Sequence, residues 1–366
     1  MGFDLQPTEE QQALKDTLHG LAADVLRPQA RDCERAKRTS DELGRQIHEI
    51  GVTAPVAEAY GGGGTFDAVT YCIAAEELAW GDPAVAVQAL GSGLAALAIG
   101  TAGSDEQKQR YLPAFVAAQA PATFVAVGEK LAAGELDSLE TVVDGDKVTG
   151  TKYGVLNATE ADFGIVVGRA GHDVAAAIVE ADAFEVVKPE DKLGLAAAPS
   201  YVVRFDGTGS ELASGEGLTK AVLWTKLATG AIAVGLARAA SEYASEYAKE
   251  RVAFGKPIGA FQGISFKVAD MAIAVDAARL ALWRAAWMLD RGEVAAAEVA
   301  AAVGQCLEAA VACGDDSVQI LGGHGYITDH PVEMWFRDAV TLSVLDAPDT
   351  VGDALVGRSV LSGAVN

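Results

Sequence analysis

The spacing of apolar side chains divides the chain into a helical part, a part with short strands and a second helical part. After Thr8, a typical N-cap residue, Leu14, Leu18 and Val25 recur at the spacing of one helix face. The same periodicity predicts further helices over residues 41–50, 66–80, 83–102 and 104–118. We therefore expect an N-terminal helical domain over residues 1–121.

Short apolar runs separated by turn residues begin after Pro121. The runs 123–127 and 141–143 predict strands, and Asp144-Gly145-Asp146 after the second run predicts the turn of a β-hairpin. Further strands are predicted at residues 164–168, 174–179 and 201–205. Together these patterns predict a compact middle β domain over residues 122–213.

Long Ala-rich helical patterns return after Gly217. They predict helices over residues 220–251, 262–290 and 294–321, and a shorter helix from 332 to 339 or beyond. We expect this last part, residues 214–366, to form a C-terminal helical bundle. Because helices precede and follow the strands instead of alternating with them, the fold class is α+β, and a Rossmann or TIM-barrel fold is excluded.

Charge and composition limit the kinds of partner. The 366 residues carry a formal net charge of −23, which argues against binding of nucleic acid or of an anionic membrane surface. An anionic coenzyme would need a local site of basic side chains or backbone amides. No apolar run approaches a membrane span in length, and the first residues show no signal-peptide pattern, so we expect a cytoplasmic protein.

Several other polar groups are interpreted as structural. The four cysteines show no C-x-x-C pair, which predicts buried thiols and neither a disulfide framework nor a metal site. Glu76 and Glu77, followed by Trp80, are interpreted as the solvated edge of a helix. His324 lies in a glycine-rich loop and is interpreted as a packing or hydrogen-bonding residue.

Residues 251–262 separate two of the long helices. Gly255 and Pro257 would end a helix at this point. Arg251 before the turn and Gln262 after it could hold an anionic, planar ligand. The alternative is an ordinary connector between helices, and this stretch alone does not decide between the two.

Three longer motifs favour the ligand-binding interpretation. They are, in chain order, Glu250-Arg-Val-Ala-Phe-Gly-Lys-Pro-Ile258 with Phe261-Gln262, Gln319-Ile-Leu-Gly-Gly-His-Gly-Tyr326, and Pro331-Val-Glu-Met-Trp-Phe-Arg-Asp338. In this order and spacing they resemble the acyl-CoA dehydrogenase family over essentially the whole chain. The resemblance implies a central β-barrel-like domain between an N-terminal helical domain and a C-terminal four-helix bundle.

The resemblance also implies a reaction and its cofactor. In the family a carboxylate removes the α-proton of an acyl-CoA thioester while the β-hydride passes to N5 of FAD. Each FAD lies between two subunits, and part of its binding site comes from the C-terminal bundle of the neighbour. The residues implied to reach the neighbour's FAD are Arg251, Phe254, Gln262, Gln319, Gly322 and Gly323. An Arg offers a charged fork for pyrophosphate, and glycines allow close approach of the backbone.

The residues expected around the chain's own flavin depart from the family pattern. The family loop Thr-Glu-Pro-x-x-Gly-Ser-Asp corresponds to residues 128–135 here, which keep little beyond Glu129. Gly154 stands where the family has a Trp that packs on the isoalloxazine. Leu156 stands where a Thr hydroxyl bonds N5. Neither residue can perform the role implied for its position.

The catalytic base is also altered. Asp346 takes the place of the family's Glu, and its side chain is one methylene shorter. A displacement of about 1 Å at a reacting group can cost on the order of 100-fold in rate. Asp346 is therefore the candidate catalytic residue, and the alternative is a solvated loop acid.

Three functions remain open at this stage. We favour a subunit that donates FAD contacts to a catalytic paralogue in a heterotetramer acting on an acyl-CoA thioester. Heteromeric members of this kind occur in the family, some acting on bulky substrates such as steroid side-chain thioesters. The alternatives are a self-sufficient, homo-oligomeric FAD enzyme with Asp346 as base, and a structural or regulatory homologue without flavin.

Overall fold

The computed structural model describes residues 6–117, 120–129, 139–293, 296–345, 356–357 and 359–361. Its first part is helical, and a π-helical turn, Ala22–Leu26, joins the first two helices. The helices are α1 (Glu9–Leu21), α2 (Arg27–Ala36), α3 (Asp41–Glu49), α4 (Ala68–Gly81), α5 (Pro83–Ala102) and α6 (Asp105–Phe115). Thr8 begins α1 with a capping box, in which its hydroxyl and the Gln11 side chain each accept a backbone N–H of the other.

The middle part is one twisted sheet. Its strands are β1 (Thr123–Ala126), β2 (Val142–Asp144), β3 (Lys147–Leu156), β4 (Phe163–Ala170), β5 (Asp173–Glu180), β6 (Phe184–Pro189), β7 (Ser200–Thr208) and β8 (Ser210–Glu211). The order across the sheet is β6-β7-β3-β2-β4-β5-β8, with β1 parallel to β4. The predicted hairpin joins β2 and β3 through Gly145, whose φ is 62°. The patterns did not predict β6 or β8, because both are mostly exposed and lack a buried apolar face.

The last part is built around one long helix. It comprises α7 (Glu216–Glu250), a small hairpin of β9 (Val252–Ala253) and β10 (Lys256–Pro257), α8 (Gln262–Asp290), α9 (Ala296–Leu321) and α10 (Val332–Leu345). Helix α7 packs against α4, α5, α8, α9 and α10. Helices therefore precede and follow the sheet, as predicted, while the boundaries at 121/122 and 213/214 remain predictions of where the domains divide.

Small residues allow α7 to approach its neighbours closely. A Cβ added to Gly235 would overlap the carbonyl oxygen of Glu76 on α4. A Cβ added to Gly230 would lie 2.8 Å from a methyl group of Leu282 on α8. All four cysteines are buried and unpaired, which confirms the prediction of buried thiols.

Glu76 and Glu77 are buried, so the interpretation of a solvated helix edge was wrong. Arg238 of α7 donates to Glu76 at 2.8 Å and to both carboxylate oxygens of Glu77 at 2.7 and 2.6 Å. Arg279 of α8 donates to Glu76 at 3.0 Å. Burial alone would raise the pKa of Glu77, but hydrogen bonds from Arg238 and His19 hold it below its usual range. Local patterns could not predict this cluster, because the two arginines lie far from the two glutamates along the chain.

Within the part of the chain that the structure describes, three helices are long and apolar enough to cross a membrane by length and composition. They are the helical spans Pro83–Ala102, Glu216–Glu250 and Ala296–Tyr326, whose most apolar windows are 67%, 83% and 50% buried inside the protein. The expectation that no apolar run approaches a membrane span was therefore wrong by this measure. Ala and Gly make these helices apolar, and the same small residues serve close helix packing.

Helix α10 is tied to the β domain by two buried hydrogen bonds. The N–H of Leu195 donates to Asp338 at 2.5 Å, and the N–H of Gly194 donates to the hydroxyl of Thr341 at 2.8 Å. A Cβ at Gly194 would overlap the carbonyl oxygen of Arg337, so the helix can lie this close only over a glycine. Burial raises the pKa of Asp338 to about 8.

The buried ion cluster predicts the effect of removing its central cation. We expect Arg238→Leu to lower the free energy of unfolding by roughly 3–5 kcal/mol, because buried Glu77 loses both guanidinium hydrogen bonds and buried Glu76 keeps only those from Arg279. Arg35→Leu is the matched control, since the Arg35 side chain is 68% exposed. Its effect should stay below about 1 kcal/mol. Denaturant unfolding of both variants measures the difference, and equal losses would contradict a structural role for the cluster.

The raised pKa of Asp338 predicts a pH-dependent stability. A carboxyl whose pKa is higher in the folded than in the unfolded protein favours the folded state while it is protonated. Its contribution to the free energy of unfolding is complete below the unfolded pKa of about 3.9 and is lost as pH rises. The loss is complete only above the folded pKa of about 8. In Asp338→Asn the side-chain oxygen can still accept the N–H of Leu195, but the side chain cannot ionise.

We therefore expect the melting temperature of Asp338→Asn to rise relative to the unsubstituted protein between pH 5 and about pH 9. The other ionisable groups are common to both proteins, so their contributions cancel in the difference. A difference that stays constant over this range would show that Asp338 does not carry the shift.

Candidate cofactor-binding surface and flavin-facing strand

Residues 251–262, called the arm below, leave the end of α7 in a tight hairpin. The helix ends at Arg251, whose backbone is extended with φ −70° and ψ 118°. Phe254 and Gly255, the two residues between β9 and β10, have φ values of 51° and 82°. Positive φ at both positions is typical of a type I′ turn, and it is unusual for an aromatic residue. The turn holds Phe254 outward, with 97% of its surface exposed.

The polar side chains of the arm also face outward. Arg251 and Gln262 are exposed, and neither side chain takes part in a hydrogen bond or ion pair with the residues the structure describes. Phe254 packs edge-to-face on Phe261 with ring centroids 6.2 Å apart. The Lys256 ammonium lies 4.3 Å from the centre of the Phe261 ring. The arm thus presents a guanidinium, an amide and an aromatic ring at the surface of the chain.

The second predicted segment lies at the end of α9. Gln319 is exposed in the last turn of α9, and Gly322–Tyr326, called the glycine loop below, follows as a 3-10 turn. Gly322 has a φ of 59°, which favours glycine. A Cβ at Gly323 would meet no described atom within 4 Å, whereas one at Gly325 would overlap the Val318 carbonyl oxygen. Packing within the chain therefore requires Gly325 but not Gly323.

The structure brings the two segments together. The hydroxyl of Tyr247, in the last turn of α7, lies 2.8 Å from Nδ1 of His324 in the glycine loop. All six residues predicted to contact FAD are exposed. They lie on the arm and on the segment from Gln319 to Gly323, and the Tyr247–His324 contact connects these two.

Glu129, the residue retained from the family's flavin loop, is part of a buried ion pair. Lys152 of β3, fully buried, donates to Glu129 at 2.6 Å and to the carbonyl oxygen of Val127 at 3.0 Å. Glu129 also accepts the backbone N–H of Thr141 at 3.0 Å. These bonds give Glu129 a structural role in joining the ends of the loop to β3. Residues 130–138 lie outside the described part of the chain.

Gly154 lies at an irregular point of β3. The register between β3 and β7 shifts between Lys152 and Val155, and Gly154 has a φ of 69°. A Cβ at Gly154 would lie 2.7 Å from the carbonyl oxygen of Leu345, the last residue of α10. The end of α10 therefore occupies the space beside Gly154. Leu156 is half-buried and packs on the helical core.

A polar network that was not predicted from the sequence supports this strand. Glu190 accepts the N–H of Gly154 and the hydroxyl of Ser200, both at 2.9 Å. Lys192 donates to Ser200 at 3.1 Å, and burial lowers the pKa of Lys192 to about 8. Glu and Lys side chains are usually solvated, so only the fold reveals that Glu190 bonds to Gly154 of β3 and that Lys192 belongs to the same network. Asp346, the candidate base, lies outside the described residues and stays a prediction.

Comparison with known proteins adds the family. The acyl-CoA dehydrogenase N-terminal domain matches residues 8–119, and the acyl-CoA dehydrogenase C-terminal domain matches residues 216–361. An acyl-CoA dehydrogenase of Bacillus subtilis (strain 168) is 32% identical over 377 residues, covering 97% of this chain and 99% of that protein. Benzylmalonyl-CoA dehydrogenase of Aromatoleum aromaticum is 34% identical over 359 residues, covering 92% and 94%.

A solved structure confirms the predicted fold. Butyryl-CoA dehydrogenase from Megasphaera elsdenii is 28% identical, with a TM-score of 0.88 over 98% of this chain and 100% of that one. The α+β arrangement of helical domain, central sheet domain and helical bundle is thereby shown. With two family domains matched and relatives above 30% identity along nearly its whole length, the chain belongs to the acyl-CoA dehydrogenase family of FAD-dependent oxidoreductases.

Proposed function

We propose that this chain supports FAD-dependent α,β-dehydrogenation of an acyl-CoA thioester as the FAD-contacting partner of a catalytic paralogue in a heterotetramer. The observation that carries the proposal is an asymmetry between two surfaces. The six residues predicted to contact FAD, on the arm and on the segment from Gln319 to Gly323, are all exposed. The strand position beside the expected flavin ring is filled by the main chain of Leu345.

The exposed surface has the chemistry that a dinucleotide needs. Arg251 supplies a planar, charged fork for a pyrophosphate, and its exposed guanidinium stands out in a chain of net charge −23. Phe254 offers an exposed aromatic face, and Gly322 and Gly323 allow a ligand to approach the backbone. These residues fit the FAD of a neighbouring subunit.

The chain's own flavin position does not offer the same fit. At Gly154 no stacking side chain is present, and none would fit while α10 ends where it does. At Leu156 the side chain has no hydrogen-bond donor, and it packs on the helical core. Glu129 is engaged by Lys152. These features support a partner role over a self-sufficient flavin site.

Exposed apolar side chains support assembly with another subunit. Phe266, Ile273 and Leu280 lie seven residues apart along α8 and are 62%, 66% and 38% exposed. Val252 of the arm is 59% exposed. Single exposed apolar residues are ordinary, but a stripe at helical spacing beside the arm is typical of a surface covered in an oligomer.

The contact between Gly154 and Leu345 predicts a difference between two glycine substitutions. Gly154 and Gly171 have similar φ values, 69° and 64°, but a Cβ at Gly171 would meet no atom within 4 Å. Gly171→Ala should therefore cost only the backbone strain, roughly 1–2 kcal/mol. Gly154→Ala should cost about 1–3 kcal/mol more, because the methyl group must displace the end of α10. Equal losses in thermal unfolding would mean that α10 does not occupy this space.

The proposed function predicts where FAD is found. We expect the purified chain alone to be colourless, and the assembly co-expressed with its Glu-bearing paralogue to carry one FAD per two chains. Arg251→Ala should weaken FAD binding by that assembly roughly tenfold or more, the cost of losing a charged hydrogen bond. Arg35→Ala, at an exposed position on α2, is the matched control and should leave FAD binding unchanged.

The visible spectrum and the ratio of FAD to protein distinguish the alternatives. One FAD per chain in the lone protein would overturn the partner role and support the self-sufficient dehydrogenase with Asp346 as base. An assembly without FAD would support a structural or regulatory role. FAD retention unaffected by Arg251→Ala would remove Arg251 from the binding site.

A further inference from the structure

We infer that Tyr247 and His324 form a positioning pair, which fixes the glycine loop relative to the arm so that both contact one FAD. The inference deepens the proposed function and rests on it. Tyr247 is not among the residues predicted to contact FAD. His324 was interpreted from the sequence only as a packing or hydrogen-bonding residue, and the inference gives it a specific role.

Tyr247 is attached to both segments. Its hydroxyl lies 2.8 Å from Nδ1 of His324, and its carbonyl oxygen accepts the N–H of Arg251 at 2.9 Å. The side chain of one residue thus contacts the glycine loop while its backbone holds the first residue of the arm. The arm is closed in turn by the N–H of Ile258, which donates to the Arg251 carbonyl oxygen at 2.8 Å.

His324 is the side-chain anchor of the glycine loop. Two residues of the loop are not glycine, His324 and Tyr326. Tyr326 is 83% exposed, whereas His324 is half-buried and bonded to Tyr247. Gly322 and Gly323 contribute no side-chain contact that could hold them. The packing of Gly325 on Val318 joins the loop to α9, and the bond from His324 to Tyr247 is the side-chain contact that ties these glycines to α7.

A second pair of the same chemistry lies one turn earlier on α7. The hydroxyl of Tyr243 is 2.7 Å from Nδ1 of His330, and the rings of His324 and His330 stack with centroids 5.4 Å apart. His330 lies beyond the glycine loop, at a position without a predicted FAD contact. The two pairs thus share a helix, a hydrogen-bond type and a degree of burial, but only one of them carries a predicted FAD-binding segment.

A fixed geometry matters because one dinucleotide must meet both segments. Contacts from two segments contribute most to affinity when the segments already have their bound arrangement, because no ordering free energy then opposes binding. If the glycine loop moved freely, its ordering would oppose binding, and the contacts of Arg251 would remain. We therefore expect a weakened affinity for FAD and not a complete loss.

The test compares Tyr247→Phe with Tyr243→Phe in whichever preparation carries FAD. Each substitution removes one tyrosine hydroxyl from a tyrosine–histidine pair and keeps the ring. Tyr247→Phe should raise the dissociation constant of FAD about five- to tenfold, the effect of one lost hydrogen bond. Tyr243→Phe should leave the FAD dissociation constant within about twofold, while both lower the melting temperature to a similar degree.

Hydrogen–deuterium exchange supplies a readout that needs no flavin. Backbone amides of residues 319–327 should exchange faster in Tyr247→Phe than in Tyr243→Phe, because only the first substitution releases the glycine loop. Unchanged exchange in Tyr247→Phe would overturn the inference. So would FAD affinities that change equally in the two variants, or that do not change in Tyr247→Phe.

Failure of the proposed function has a different signature. In that case the lone chain would carry one FAD per chain, or neither the lone chain nor its assembly with the paralogue would carry FAD. The exchange experiment would still decide whether Tyr247 holds the glycine loop. An unsubstituted preparation that binds FAD, together with an unaffected Tyr247→Phe variant, would overturn the positioning pair alone.

Discussion

Arg238 joins three helices that come from distant parts of the chain. Its guanidinium binds Glu76 and Glu77 of α4, and Glu76 also binds Arg279 of α8. Both carboxylates are almost fully buried, so they tolerate this position only while the cations are present. The cluster therefore fixes how α4 and α8 lie against α7, and the close approach at Gly235 depends on the same alignment.

The position of α7 in turn sets the surface proposed to bind FAD. Tyr243 and Tyr247 leave the same face of α7 and meet His330 and His324. One turn later the helix ends, and the hairpin of Phe254 and Gly255 directs the arm outward. Because the middle of α7 is held by buried ion pairs, the loops at its end have a defined position. Binding residues on loops acquire a fixed geometry from a rigid scaffold in this way.

The other flavin-related surface depends on α10. The backbone N–H groups of Leu195 and Gly194 donate to Asp338 and Thr341, and these hydrogen bonds fix the position of α10 against the β domain. The helix then continues for one more turn and brings the carbonyl oxygen of Leu345 against Gly154. The family supplies FAD chemistry, but in this chain the end of α10 packs against Gly154, at the position implied for the flavin ring, while the six residues predicted to contact FAD are exposed. The proposed partner role follows from that difference.

The order of helices, strands and helices, the start of α1 and the bounds of α5 and α8 could all be predicted from the sequence. These depend on local periodicity and on residues such as Thr8, Gly255 and Pro257, which act within a few positions of themselves. Motifs of contiguous residues also identified the family. The edge strands β6 and β8 escaped prediction because they have little buried apolar surface.

Which polar groups are buried, and what lies beside Gly154, depends on contacts between distant parts of the chain. The bond from Arg238 to Glu76 joins residues 162 positions apart, and the bond from Tyr247 to His324 joins residues 77 apart. Local patterns carry no information about such contacts, since a Glu on a helix looks the same whether water or an arginine faces it. For the same reason the sequence showed that Gly154 lacks a stacking side chain, while the fold decided that the end of α10 fills its place.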